Sequence, residues 1–285
     1  LHLQGLGSLM DTARQIENTT RDRFKERLRT PCLGATPLTG EIPDDTTAIV
    51  ASESGYVQHI YPEALQDAAA AYGVEAFLAA NIGSFVFVNA PLAYVRDKAG
   101  DDAAETEFES FEDALRASST LGDVRTYDQD PRFGLITMGE VASRALSPGI
   151  NDPGTAIDMI TRIARVLSYY EDETKKEPEA QVLDRIHVRP LDAGDLLEDG
   201  LGSLARDGAS TVEVQQRLQK VFSGLMKHPD EGLQRVAREA AKVTLARAMA
   251  AMTFHRDRER LCAVVDEGVL EEVVAEQRER EAQDS

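Results

Sequence analysis

Between Asp123 and Leu167 two helical patterns flank the turn Ser147-Pro148-Gly149-Ile150-Asn151-Asp152-Pro153. Its two prolines leave the backbone little choice. Pro148 pushes Ser147 out of the helical region, so the first helix stops near Leu146, and Gly149 supplies the tight turn. Asp152 is a good N-cap, Pro153 suits the first helical position, and Thr155 adds an oxygen near the free N–H groups. Beyond it Ala156, Ile157, Ile160, Ile163, Ala164 and Leu167 share one helical face, with Asp158, Arg162 and Arg165 on the other.

The rest of the chain divides by hydrophobic period. Residues from about Ser8 to Leu28 read as a charged helix with a thin apolar stripe at Leu9, Ala13, Ile16, Thr20 and Phe24. Such a stripe calls for a partner: a neighbouring subunit, the body of the protein, or a membrane-spanning segment. After the Pro- and Gly-rich stretch that follows, strands are expected at 47–51, 55–60, 74–78, 84–88 and 91–95, with one helix at 62–72. Asp97 to Glu109 reads as an acidic linker, and a helical pattern resumes at 111–121. Helices are expected near 131–146, 152–170, 194–206, 211–227 and 230–275, with Ile186-His187-Val188 a short strand or extended connector. The fold class is α+β: a small β barrel-like module with one inserted helix, followed by a larger, mostly helical domain. The expected divisions are a linking helix at 1–30, the β module at 31–98, the linker and short helix at 99–120, and the helical domain at 121–285.

Charge removes one class of partner. Asp and Glu number 50 against 31 Lys and Arg, a formal net charge of -19 that repels phosphate backbones, so nucleic acid is not expected. Cys32 and Cys262 lie far apart without metal-ligand spacing, which fits a reducing compartment. The histidines at 2, 59, 187, 228 and 255 are dispersed, no phosphate-binding glycine loop occurs, and Ser147 precedes Pro148, unlike a nucleophile elbow. Asp123, Asp128, Asp130 and Asp152 lack the pattern of a calcium loop, so neither a metal nor a cofactor is expected. No run of apolar residues is long enough to span a bilayer, and a start without Met points to missing upstream residues.

The β module's wording, with Gly55-Tyr56-Val57 opening a strand pair and Gly83-Ser84-Phe85-Val86 closing it, is similar to biotinyl and lipoyl carrier barrels. Those carriers need a lysine at a hairpin tip, and no Lys occurs between Thr46 and Asp97, which excludes that function. A longer match involves Arg144-Ala145-Leu146-Ser147-Pro148-Gly149-Ile150-Asn151-Asp152-Pro153-Gly154-Thr155-Ala156. It is supported by Arg125, Thr126, Gln129, Asp130, Phe133 and Gly134 upstream, and by Ser54-Gly55-Tyr56-Val57-Gln58. On these residues, over roughly Leu9 to Leu261, the chain resembles the domain of unknown function 2254 family of predicted bacterial inner-membrane proteins. Gly154 stands where that family usually has a bulky apolar residue. The resemblance implies membrane-spanning helices upstream and an even number of them, which places this part on the cytoplasmic side.

The family carries no activity, so function must come from residues. The helix N-terminus at the turn can hold an anion. The candidate ligand site is Arg125, Gln129, Asp130, Arg144, Ser147, Asn151, Asp152 and Thr155. The competing structural reading has Asp152 as a plain cap and Arg144 paired with Asp130 or Asp152. The expected function is a non-enzymatic ligand-sensing, gating or assembly domain for a transport-like or channel-like membrane part. Its expected partners are its own upstream transmembrane segments, a second copy of itself, and a small anion or metabolite. The alternative is an enzyme with a polar site around Arg125, Asp130, Arg144, Asn151 and Asp152.

Overall fold

A computed structural model of the chain describes residues 2–98, 110–176 and 182–283. In chain order they form α1 (His2–Arg29), β1 (Ala35–Pro37), β2 (Thr47–Val50), β3 (Gly55–Ile60), α2 (Pro62–Ala71), β4 (Val74–Leu78), β5 (Phe85–Val86) and β6 (Pro91–Asp97). There follow α3 (Phe111–Ala117), β7 (Ser119–Gly122), α4 (Pro131–Leu146), α5 (Pro153–Leu167), β8 (Leu183–Val188), α6 (Ala193–Leu197), a π turn (Glu198–Gly202) and α7 (Ser203–Asp207). Last come α8 (Val212–Leu225), α9 (Glu231–Ala251), α10 (His255–Cys262) and α11 (Glu267–Gln283). The α+β class therefore holds. Contacts divide the chain into a sheet unit, Arg21–Phe133 with Glu171–Leu191, and a helical unit, Leu1–Thr20, Gly134–Tyr170 and Asp192–Ser285.

In the sheet unit the strand order is β1-β8-β4-β6-β2 in one sheet and β5-β3-β7 in the other. β8 lies between β1 and β4, parallel to both. The five-stranded sheet runs from β1 to β2, and among the described residues the expected barrel-like closure is not confirmed. The pairing is partly non-local. β4 has β8, a strand distant in sequence, as one neighbour, and β7 flanks β3, so two strands come from beyond residue 98. One apolar cluster joins both sheets to α2 and α3 through Ile49, Val57, Leu65, Leu78, Leu115 and Ile186. The pattern at 111–121, expected as one helix, is the helix α3 followed by the strand β7. Most of the expected acidic linker, residues 99–109, lies outside the described residues.

A buried carboxylate ties the ends of this unit together. Glu173 accepts hydrogen bonds from Arg27 Nε at 2.6 Å and Nη2 at 3.2 Å, from Cys32 N at 2.7 Å and from Leu191 N at 2.5 Å. Four donors satisfy a carboxylate that is itself fully buried, which is the condition for keeping a charge inside a protein. Beside it the Cys32 thiol is pushed up to about 12, first by burial and then by the negative charge of Glu173.

In the helical unit α5 buries Ala156, Met159, Ile160, Ile163, Val166 and Leu167. Arg162, expected on the solvent face, is buried instead. Its guanidinium pairs with Asp158 at 2.6 Å on its own helix and with Glu17 of α1 at 2.6 Å. Glycines let side chains pack directly on the backbone: a Cβ on Gly134 would stand 1.8 Å from Thr20 Oγ1, and one on Gly200 would stand 2.7 Å from Ile163 Cγ2. The span 194–206 is not one regular helix but α6, the π turn and α7. The expected helix at 230–275 is divided into α9, α10 and α11. Met252 and Phe254 are extended, and Arg258 Nε donates to the Met252 carbonyl at 2.6 Å. Asp266 Oδ1 then caps α11 by accepting from Gly268 N and Val269 N.

Candidate functional site

The eight candidate residues are divided by the two units: Arg125, Gln129 and Asp130 belong to the sheet unit, and Arg144, Ser147, Asn151, Asp152 and Thr155 to the helical unit. Each group is built by its own local chemistry.

In the sheet unit, Asp130 precedes Pro131 and stands at the start of α4. Its Oδ1 accepts from Arg132 N and Phe133 N, both at 3.1 Å, and its Oδ2 lies 2.7 Å from Arg125 Nη2. Burial raises the Asp130 pKa above the ordinary value of 3.8, against the opposing pull of Arg125. The pair is packed against backbone, since a Cβ on Gly83, whose φ is +81°, would stand 2.2 Å from Asp130 Oδ2. Arg125 and Asp130 are thus committed to each other and to a helix start.

Gln129 is committed as well. Its Oε1 accepts from Ile60 N at 2.9 Å and its Nε2 donates to Ile60 O at 3.0 Å, so the amide substitutes for a strand beside the end of β3. This fixes which end of the amide is nitrogen. Its second N–H faces His59 Nε2 at 3.1 Å, so that ring nitrogen accepts and Nδ1–H donates to Asp128 at 2.7 Å. His59, Asp128 and Gln129 line a cavity of about 260 Å³ with Arg23, Arg27 and Glu63. Sequence reasoning missed the His59–Asp128 pair. Nothing local in the sequence signals it, because the partners meet only when the loop before α4 folds onto β3.

In the helical unit the turn is held by backbone. Ser147 O accepts from Ile150 N at 3.0 Å and Asn151 N at 2.8 Å, and Asp152 N donates to Ala145 O at 2.8 Å. Asn151, with φ +50°, takes the left-handed conformation in this turn. Asn tolerates that region better than most side chains. Asp152 Oδ1 accepts from Thr155 N at 3.1 Å and Oδ2 from Thr155 Oγ1 at 2.6 Å, which holds the Asp152 pKa below its ordinary value. The expected pairing of Arg144 is not found. Asp152 is occupied by Thr155, Asp130 pairs with Arg125, and the side chain of Arg144, an exposed residue, has no ion pair or hydrogen bond among the described residues.

Beside this corner lies a half-open groove of about 530 Å³. Arg144, Asp152 and Thr155 line it, with Thr137 and Glu140 as further polar groups and Val141, Ala145 and Ile150 as an apolar wall. Ser147 and Asn151 are not part of its lining. Among the described residues no group of three or more His, Cys, Asp and Glu side chains is placed to hold a metal ion. No helix among them is long and apolar enough to cross a membrane.

Comparison with known proteins gives a family without an activity. The chain is 27% identical over 211 residues to an uncharacterized protein of Mycobacterium tuberculosis and equally to one of Mycobacterium bovis. Each alignment covers 72% of this chain and 40% of the relative, so the chain spans about two fifths of the length of the curated relatives it matches. No solved structure matches it. The family model for domain of unknown function 2254, described as a predicted membrane protein, matches residues 1–223. That match takes in the sheets, the α4–α5 corner and Arg144, and the chain belongs to this family of predicted membrane proteins.

Proposed function

We propose that this chain is a non-enzymatic, ligand-responsive part of a membrane protein, and that the groove at the α4–α5 corner is its ligand site. The ligand class is a small carboxylic acid that bears an amine or hydroxyl on an apolar body. The observation that carries this reading is Arg144, an exposed guanidinium without an ion pair among the described residues, at a groove of about 530 Å³. A guanidinium offers two parallel donors to a carboxylate. Glu140, one helical turn earlier on α4, supplies an acceptor for the amine or hydroxyl. Val141, Ala145 and Ile150 suit the apolar body. A zwitterion also escapes the repulsion that a net charge of -19 imposes on a simple anion.

An enzymatic reading finds less support. Arg125, Gln129 and Asp130 are occupied by protein partners, and of the groove's two carboxylates Asp152 is engaged by Thr155 while Glu140 has no Ser, Cys or His beside it in the lining. In the whole protein the chain would adjoin its own membrane-spanning segments, face the cytoplasm and act as a homo-oligomer, with ligand occupancy gating or assembling the membrane part. The family description and the two free cysteines support that setting.

A thermal-shift screen tests the ligand site. Branched-chain α-amino and α-hydroxy acids at about 10 mM should raise the melting temperature of the native chain and leave that of Arg144→Gln unchanged. Equal shifts in both proteins, or none in either, would remove the groove as a ligand site.

A further inference from the structure

A second surface stands apart from the groove chemistry. β5 is an edge strand of the three-stranded sheet, and the loop after it carries Phe87 and Val88. Phe85, Phe87 and Val88 are 45%, 68% and 50% exposed. They form a continuous row with Tyr56 of β3. The Tyr56 and Phe85 ring centroids are 5.0 Å apart and those of Phe85 and Phe87 5.1 Å, both edge to face. Backbone bonds hold the row in place, because Val88 N donates to Ser54 Oγ, Asn89 N to Ala51 O and Ala90 N to Phe87 O. Folded proteins seldom leave neighbouring aromatic side chains on a fixed surface without a partner.

The surrounding sequence narrows what that partner is. The exposed residues of β5 and the loop after it, Phe85, Phe87, Val88 and Asn89, carry no charge, in a chain where 28% of residues are charged. A docking site for a charged protein surface or a nucleic acid would carry charge; this one has been cleared of it. The exposed acids Glu53, next to Ser54, and Asp123, next to the Gly122 that pairs with Tyr56, flank the row and disfavour anionic headgroups.

We propose that the Tyr56–Phe85–Phe87–Val88 surface docks onto the headgroup–acyl boundary of a lipid bilayer, preferring zwitterionic lipid. Aromatic side chains partition into that boundary. Leading with uncharged side chains also lowers the electrostatic cost for a chain of net charge -19 to approach a bilayer. The description of the family as membrane proteins puts a bilayer within reach of this chain.

The chain has no tryptophan, so a single one reports cleanly. The experiment uses the 285-residue chain as Phe87→Trp with phosphatidylcholine vesicles, and Tyr61→Trp as a control at the far end of β3. The expected result is a saturable blue shift of the tryptophan emission with added lipid in the Phe87→Trp protein and none in the Tyr61→Trp protein. Adding Phe85→Ser should weaken partitioning about tenfold or more. Vesicles containing phosphatidylglycerol should bind equally or less well. Binding confined to cationic vesicles would overturn the proposal, as simple charge attraction. A blue shift that grows with protein concentration in the absence of lipid would also overturn it, by showing that a second copy covers the row. So would no shift at all while circular dichroism matches the native chain.

Discussion

Asp130 and Asp152 each precede a proline and each start a helix, yet their surroundings drive their acidities in opposite directions. Asp130 is buried, and desolvation raises its pKa in spite of Arg125; Asp152 is half-exposed, and the hydroxyl and amide of Thr155 lower its pKa. Replacing Asp152 with Ala should cost about 1 kcal/mol of stability, and Asp152→Asn much less, as read by chemical denaturation. The sign of the pH effect follows from the lowered folded value. The stabilisation from Asp152 is present above its ordinary value of 3.8 and is lost as the pH falls through the lower folded value. The difference between native and Asp152→Asn proteins should therefore shrink with acid below about pH 4. Gly83→Ala meets two penalties, a left-handed backbone and a Cβ overlapping Asp130, and should cost more than about 2 kcal/mol. The Asp152 cap was legible in the sequence because its signal is local. The part played by Asp130 was not, because the same Asp-Pro wording fits a site residue until its bonds to Arg125, Arg132 N and Phe133 N are seen.

Among elements, those with strong local patterns stand where the sequence puts them. α4 spans the expected 131–146, and α5, α8 and β2, β3, β4 and β6 lie within a few residues of their expected bounds. What the sequence withheld was pairing at long range. β8 reads as a short extended connector, and only the sheet shows it lying between β1 and β4. Glu173 is similar, an acid in a charged stretch that becomes the buried partner of Arg27 because two distant segments meet. Glu173→Gln would leave Arg27 buried without its counter-charge and should destabilise the protein by about 3–5 kcal/mol, measured by denaturant titration. A cost under about 1 kcal/mol would mean that the pair is hydrated. At the first break of the expected 230–275 helix Arg258 reaches back six residues to the Met252 carbonyl, and no Gly or Pro announces that break.

For the molecule as a whole, the excess of acid over base makes self-repulsion a general cost. Raising sodium chloride from about 0.05 to about 0.5 M should increase the melting temperature, because screening relieves that repulsion more than it weakens exposed ion pairs. The candidate site read from the sequence is divided in the same way as the fold: its sheet-unit members stabilise a helix start and a strand end, and its helical-unit members surround a groove. Arg144 is thus the residue on which the proposed function turns. The chain's lack of tryptophan allows a direct test. With Ile150→Trp as a reporter on the groove wall, fluorescence is titrated with branched-chain α-amino and α-hydroxy acids. A ligand site at the groove predicts a saturable change that Arg144→Gln abolishes while the fold is retained. A linear, unsaturable change, or one that Arg144→Gln leaves intact, would contradict it.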